Sequence, residues 1–170
     1  EIFNPEYHAE RLEELLSLLL ETKIRIKQIL PNDSVRLADE YTLLITDIVI
    51  ETEDGRIANL EIQKIGYAFP GQRTACYSAD LLLRQYKRVK DRKRRENKKF
   101  NYRNLKKVYT IVLFEKSTRE FHEISDKYLH YGEHTYDTGL KLETLQKSVL
   151  VALDIFQKNI ENRSIENKLE

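Results

Sequence analysis

Apolar residues in the first two thirds of the chain recur at two spacings, one helical and one strand-like. Leucines at positions 12, 15, 16 and 19 share one helical face, whereas later apolar runs alternate with charged residues or are apolar throughout. In chain order, these patterns predict a helix over 9–20, strands over 22–30, 41–51 and 57–65, a helix over 70–90 and a strand over 108–115. This order is typical of an α/β (α+β) sandwich in which helices flank a sheet.

The predicted helix over 70–90 begins at Pro70, because the missing N–H of proline costs nothing in a first turn. Its predicted buried stripe is Ala75, Ala79, Leu82, Leu83 and Tyr86. Another face carries Arg73, Tyr77, Asp80 and Arg84 at spacings of four, three and four residues. Later segments are expected to be a mobile basic loop over 90–103, strand-like runs over 121–130 and 148–156, and a helix or frayed tail from 157.

An acidic residue lies inside the most apolar strand, in the run Leu-Leu-Ile-Thr-Asp47-Ile-Val-Ile. A carboxylate in such surroundings costs several kcal/mol unless something compensates its charge. Glu61 and Gln63 follow on the next predicted strand, where alternate residues share a face. Mg²⁺ compensates carboxylates well because it prefers oxygen ligands, so the two acids are candidate metal ligands.

The turn between the two strands decides whether Asp47 and Glu61 meet. A two-residue turn at Asp54-Gly55 pairs Asp47 with Ile62 and sends it to the other face. A three-residue loop with Gly55 left-handed pairs Asp47 directly with Glu61, about 5 Å apart at Cβ. The alternative to a metal site is a hairpin whose acids are solvated or bonded to arginine or tyrosine.

Asp47, a gap of 13 residues and then Glu-x-Gln resembles the active-site hairpin of the PD-(D/E)XK nucleases. The run from Glu61 to Arg88 (EIQKIGYAFPGQRTACYSADLLLRQYKR) is similar to the PD-(D/E)XK nuclease family transposases, and the strand around 107–115 continues the likeness. The resemblance covers roughly residues 8–156. It implies a restriction-endonuclease-like core of about 8–116, in the order helix, three strands, helix, strand, within one domain spanning 1–170 and a C-terminal extension over 117–170.

The resemblance also implies an activity, which is Mg²⁺- or Mn²⁺-dependent cleavage of DNA. Asp47, Glu61 and the backbone carbonyl of Ile62 would hold the metal, and Gln63 would orient the attacking water. We therefore predict that the hairpin turn places Asp47 and Glu61 on one face of the sheet. Further candidates for the site are an upstream acid, Glu10 or Glu13, and the helix residues Gln72, Arg73 and Tyr77 facing the phosphate.

Two positions depart from the family pattern. Thr46 precedes Asp47 where proline is common, and Gln63 stands where lysine is usual. Loss of the lysine favours an alternative function, a catalytically weak or inactive module that binds nucleic acid or protein. A structural or regulatory homodimer is a third hypothesis.

Charge is distributed unevenly along a chain of net charge +1. Residues 84–107 hold 13 Lys or Arg and 2 Asp or Glu, a local charge of +11. Such a segment attracts phosphate backbones, and a solvated basic loop is the alternative. The residues predicted to contact nucleic acid are Arg84, Lys87, Arg88, Arg92, Lys93, Arg94 and Arg95.

The remaining motifs indicate no second chemistry. The single Cys76 excludes an intramolecular disulfide and favours a reducing cytoplasm, and we expect its thiol to be packed. The apolar runs are too short for a membrane span, so a membrane is not an expected partner. His122, His130 and His134 lack zinc-site spacing and are expected at the surface, and Asp137-Thr138-Gly139 is expected to be a turn.

Overall fold

The computed structural model describes residues 5–31, 46–64, 66, 70–124 and 126–162, with the backbone alone for 5–8, 46 and 47. The helices are α1 (Pro5–Leu19), α2 (Pro70–Arg95), α3 (Arg119–His122) and α4 (Leu153–Glu161), with a short 3₁₀ helix at Tyr102–Asn104. The strands are β1 (Ile26–Leu30), β2 (Thr46–Thr52), β3 (Ile57–Gln63), β4 (Val108–Phe114), β5 (Leu129–Glu133) and β6 (Gln146–Ala152). The predicted order of helix, three strands, helix and strand is confirmed; the predicted strand residues 41–45 and 65 lie outside the described residues.

The described strands form one six-stranded mixed sheet in the order β1-β2-β3-β4-β6-β5. β2 is antiparallel to β1 and to β3, whereas β3, β4 and β6 run parallel. β5 closes the opposite edge antiparallel to β6. The segment after residue 117 therefore supplies two strands of the same sheet, and helices flank the sheet as the resemblance implied.

Two apolar layers hold the helices against the sheet. Leu12 and Leu16 of α1 are buried against one face, together with strand residues such as Leu60 and Ile111. The predicted leucine stripe is therefore the face that α1 buries, and each fully buried side chain contributes about 1.5–3 kcal/mol. On the opposite face, Leu81 of α2 packs in a smaller apolar cluster. Its buried members are Leu30, Val49, Ile57, Leu81 and Val108.

The predicted buried stripe of α2 is wrong at three of its five positions, whereas Leu82 and Tyr86 are partly buried. Ala75 and Ala79 are exposed, Leu83 is 67% exposed, and the buried residues are Thr74, Ser78, Leu81, Gln85 and Val89. Polar residues occupy this face because the sheet and neighbouring loops offer them partners. Gln85 shows the reason, since its Nε2 donates to the carbonyl of Gly55 at 3.1 Å and its Oε1 accepts from the N–H of Lys106 at 2.7 Å.

The predicted basic loop over 90–103 is also corrected. α2 continues through Arg95, so the last turn of the helix is the run 92–95, which consists entirely of Arg and Lys. Arg and Lys are good helix formers, and cations are favourable near a helix C-terminus. The following Tyr102–Asn104 turn is ordered by a capping box, in which Asn101 Oδ1 accepts from the N–H of Arg103 at 2.9 Å and Asn104 Oδ1 accepts from the N–H of Asn101 at 3.0 Å.

Of the remaining local predictions, the turn at 137–139 is confirmed, whereas those for Cys76 and for the two late apolar runs need correction. The Asp137-Thr138-Gly139 turn is confirmed, with Gly139 at φ +76°. Cys76 is exposed, not packed, because it lies on the outer side of α2. The run over 121–130 begins in α3 and becomes strand only at Leu129, and the run over 148–156 passes from β6 into α4 at Leu153. An apolar run of that length does not distinguish a strand from a helix boundary.

Candidate functional site

A tight loop joins β2 to β3. The N–H of Thr52 donates to the carbonyl of Arg56 at 3.0 Å, and Gly55 is left-handed at φ +86°. Asp54 closes the loop by accepting from Thr52 Oγ1 at 2.6 Å and by pairing with Arg56 Nε at 2.8 Å. Burial alone would raise the pKa of Asp54, but hydrogen bonds from Arg56 and Thr52 outweigh it, so the pKa is lowered. This is the three-residue loop, and the two-residue alternative is excluded.

The loop sets the register of the hairpin. Asp47 is the Cα partner of Glu61, and Thr46 is the partner of Ile62. Residues directly opposite in an antiparallel pair share a face of the sheet. The predicted pairing of Asp47 with Glu61 is therefore confirmed at the level of the backbone.

Glu61 lies at the centre of a buried polar group between β3 and α2. Its side chain is fully buried, and its Oε1 accepts a hydrogen bond of 2.6 Å from Nε2 of Gln63. Nη2 of Arg73 lies 3.9 Å from the same oxygen and donates to the hydroxyl of Tyr77 at 3.0 Å. Arg73 and Tyr77 are four residues apart on α2, so one helical turn presents both to the sheet. The alternative of a hairpin acid bonded to arginine is thus also present in the structure.

Among the described residues, the side chains of the other predicted site residues take no part in these contacts of Glu61. Gln72 and Glu10 are exposed, and Ile62 packs partly buried against the α1 core. Glu13 is engaged elsewhere, because Oε1 accepts from the N–H of Ile26 at 2.7 Å and Oε2 pairs with Arg25. Ile26 pairs with Thr52, at the end of β2 remote from Asp47.

The donor set fits a hard divalent cation. Glu61 supplies a buried carboxylate and Asp47 is its register partner, and Mg²⁺ is commonly held through one or two carboxylates together with water. Among the side chains that the structure describes, no group of three or more His, Cys, Asp or Glu residues is arranged to hold a metal. The fit therefore depends on the hairpin pair alone.

A basic cleft of about 570 Å³ opens between the second half of α2 and the strands β1 and β2. It brings together five of the seven residues predicted to contact nucleic acid, namely Arg84, Lys87, Arg88, Arg92 and Arg95, and adds Lys27. Its acids are Glu51, Asp80 and Asp91, so the lining carries a net charge of +3. Arg73, whose guanidinium lies near Glu61, and Arg88 of the cleft are 15 positions apart, which is about 22 Å along the axis of α2.

Glu51 is a buried acid of this cleft that the sequence reasoning missed. Its Oε2 accepts from Gln28 at 2.6 Å and from Arg88 at 2.7 Å, and its Oε1 lies 3.5 Å from Lys27. Burial raises its pKa, but the hydrogen bonds from Arg88 and Gln28 and the charge of Lys27 lower it on balance. The sequence did contain a signal for Glu51. It follows Asp47 by four residues in the same strand, so the two residues lie on the same face of the sheet.

Ser117, His122 and Asp154 also form a cluster. His122 Nε2 lies 3.2 Å from both Ser117 Oγ and Asp154 Oδ2. A nucleophilic triad requires the serine and the acid on different ring nitrogens. Here both partners contact the same nitrogen, so the cluster is a structural tie that joins α3 and the segment before it to α4, and His122 is half-exposed as predicted.

The mixed sheet flanked by helices, with an acidic hairpin beside α2, is consistent with a restriction-endonuclease-like fold. The family model described as PD-(D/E)XK nuclease family transposase matches residues 1–170, so the chain belongs to this family. Searches among curated proteins and solved structures returned no match. Within the described residues, every helix is too short or too polar to cross a membrane.

Proposed function

We propose that the protein is a divalent-metal-dependent DNA endonuclease of the transposase-associated type. The observation that carries the proposal is the register that sets Asp47 directly opposite the fully buried Glu61. Like charges on directly opposed strand residues are destabilising without a cation, and family membership supports cleavage of phosphodiester bonds.

Asp47 and Glu61 would hold the metal, with the Ile62 carbonyl as a further ligand. When bound, Mg²⁺ or Mn²⁺ polarises the scissile phosphate and supplies hydroxide near neutral pH. Burial of Glu61 supports its role, because a carboxylate with no access to solvent gains most from a bound cation.

Gln63 acts through Glu61. Its amide donates to Glu61 Oε1 and so holds that carboxylate in one orientation, while an amide cannot accept a proton at neutral pH as an amine base could. The proton of the attacking water therefore leaves to solvent or to the phosphate itself.

Arg73 and Tyr77 receive the phosphate. The guanidinium of Arg73 is already held by the Tyr77 hydroxyl, so it is oriented before the substrate arrives. Gln72 is exposed in the first turn of α2, where helix N–H groups favour anions. The basic cleft holds more distant phosphates of the same nucleic acid, since phosphate contacts supply most of the affinity.

A second function has its own supporting observation. Glu61 Oε1 already accepts a hydrogen bond from Gln63 and lies 3.9 Å from Nη2 of Arg73, so the carboxylate has protein partners without a metal. Under this second candidate function, the fold without a lysine at position 63 is a nucleic-acid-binding module that does not cut.

Supercoiled plasmid incubated with the protein and Mg²⁺, Mn²⁺ or EDTA separates these functions. The endonuclease nicks or linearises plasmid with either metal and not in EDTA, and Asp47→Asn abolishes cleavage while binding is retained. Glu53→Gln is the matched control, because Glu53 is an exposed acid of the same hairpin loop and its loss should leave cleavage unchanged. Binding in EDTA without cleavage under any metal would favour the second function.

A further inference from the structure

An aromatic platform lies beside the C-terminal half of α2, away from the residues given roles above. Tyr86 and Tyr102 stack with ring centroids 6.2 Å apart and planes 20° apart. Phe100 meets both rings edge-on, at 5.2 Å and 5.3 Å. Tyr102 is 73% exposed, although one of its faces rests on Tyr86. The other face of Tyr102 is therefore a flat aromatic surface open to solvent.

The platform is held in place by its neighbours. The capping box of Asn101 orders the short turn that carries Tyr102, and the N–H of Leu105 donates to the Tyr102 carbonyl at 3.1 Å. Lys90 Nζ lies 5.3 Å from the centre of the Tyr86 ring and donates to its hydroxyl at 3.2 Å. An exposed ring that is fixed in advance loses little side-chain entropy when it receives a planar ligand.

Positive charge surrounds this surface. The segment 98–107 contains five Lys or Arg residues and no Asp or Glu: Lys98, Lys99, Arg103, Lys106 and Lys107. Aromatic faces set among cations are the arrangement that binds single-stranded nucleic acid, where bases stack on rings and cations follow the backbone. An apolar protein surface would bind weakly here, because burying this many charged side chains against it is unfavourable.

We propose that Tyr102 is a stacking platform for an unpaired nucleobase, a proposal that rests on the nucleic-acid binding proposed above. Tyr86 follows Arg84 by two residues, about 200° around α2, so the platform and the basic cleft flank the helix on opposite sides. The C-terminal half of α2 thus separates a phosphate-binding cleft from a base-stacking surface. This arrangement fits a nucleic acid that has both paired and unpaired segments.

The test measures binding in EDTA, which separates it from cleavage. The probes are a thymidine oligonucleotide of about 12 nucleotides, within the usual site size for such surfaces, and a strand of equal length and charge whose nucleotides are abasic. Tyr102→Ala should weaken binding to the thymidine strand by about 5- to 150-fold, the range expected for one stacked base. Binding to the abasic strand and the salt dependence should not change, because no charge is lost.

Two further variants control the measurement. Tyr102→Phe keeps the ring and should bind like wild type, and Tyr136→Ala removes a 45% exposed tyrosine outside the basic segment and should have no effect. Equal binding by Tyr102→Ala and wild type would overturn the platform, as would equal losses on the two strands. Self-association lost in Tyr102→Ala, with affinity unchanged, would overturn it in favour of a second copy of the chain.

The outcome is distinguishable from failure of the proposed activity. If the wild type cuts no plasmid but Tyr102→Ala loses affinity for the thymidine strand, the endonuclease proposal fails and the platform stands. If plasmid is cut and Tyr102→Ala binds normally, the platform alone fails.

Discussion

Nε2 of Gln63 lies 2.6 Å from Oε1 of Glu61, and both side chains are buried between β3 and α2. Because an ionised carboxylate only accepts hydrogen bonds, the amide must present its NH₂ group to it. The residue that replaces the usual lysine of the family therefore still acts as a donor to the neighbouring acid. What the substitution removes is the positive charge and the basic nitrogen.

Gln63→Leu should lower the free energy of unfolding by about 1–3 kcal/mol, because it removes a donor from a carboxylate oxygen that water does not reach. The measurement is urea unfolding at neutral pH without metal. Gln157→Leu is the control, since its Nε2 donates to Glu161 at 3.0 Å on an exposed face of α4. The control substitution should lower the free energy of unfolding by about 0.5 kcal/mol or less. Equal losses in the two variants would show that burial of Glu61 does not strengthen the contact.

Gly55→Ala should destabilise the protein by about 1–2 kcal/mol, because φ at Gly55 is +86° and a side chain disfavours the left-handed region. An added Cβ would approach nothing closer than Lys106 Cγ at 3.7 Å, so the cost is conformational and not a clash. Thermal unfolding measures it. Gly71→Ala is the matched control, because its Cβ meets no atom within 4 Å in the first turn of α2, and it should leave stability unchanged or raise it by up to about 1 kcal/mol.

The stability contributed by Glu51 should depend on pH. Its folded pKa lies below the ordinary value of 4.5, so the unfolded state binds protons first as the pH falls. The contribution is fully present well above pH 4.5 and is lost as the pH falls from there through the folded pKa. The difference in unfolding free energy between wild type and Glu51→Gln should therefore be largest near neutral pH and shrink under acid conditions. A difference that stays constant, or grows, as the pH falls would contradict the ion pairs seen with Arg88 and Lys27.

The last turn of α2 should supply salt-dependent affinity for nucleic acid. Replacing Arg92, Lys93, Arg94 and Arg95 together by glutamine keeps good helix formers and removes four charges. Binding to DNA of any sequence should weaken, and each lost phosphate contact should reduce the log–log salt slope by roughly one. Titration at several salt concentrations measures both quantities.

A second quadruple variant separates local charge from net charge. It replaces four exposed basic residues outside the cleft and the platform by glutamine: Arg119, Lys127, Lys141 and Lys158. Net charge changes equally in the two variants, so only the α2 variant should lose affinity substantially. Equal losses would mean that overall charge, and not the cleft, attracts the nucleic acid.

Much of this architecture followed from local pattern. The leucine spacing of α1 identified its buried face, and the Asp54-Gly55 sequence limited the hairpin to two registers. Strand alternation placed Glu61 and Gln63 together, because neighbours two apart share a face whatever the rest of the chain does. The order of the elements and the pairing of Asp47 with Glu61 depend on contacts close in sequence, and both were predicted.

The buried face of α2 was decided by tertiary structure. Gln85 is buried because its side-chain amide forms hydrogen bonds with the backbone of Gly55 and of Lys106, which lie 30 and 21 residues away in the chain. Glu51 is buried because Arg88 reaches it across 37 residues. A hydropathy pattern predicts that such polar side chains are exposed, because it contains no information about hydrogen-bond partners that are distant in the chain. The cost of burying a polar group disappears only when a distant segment supplies its hydrogen bonds, and the fold alone brings those segments together.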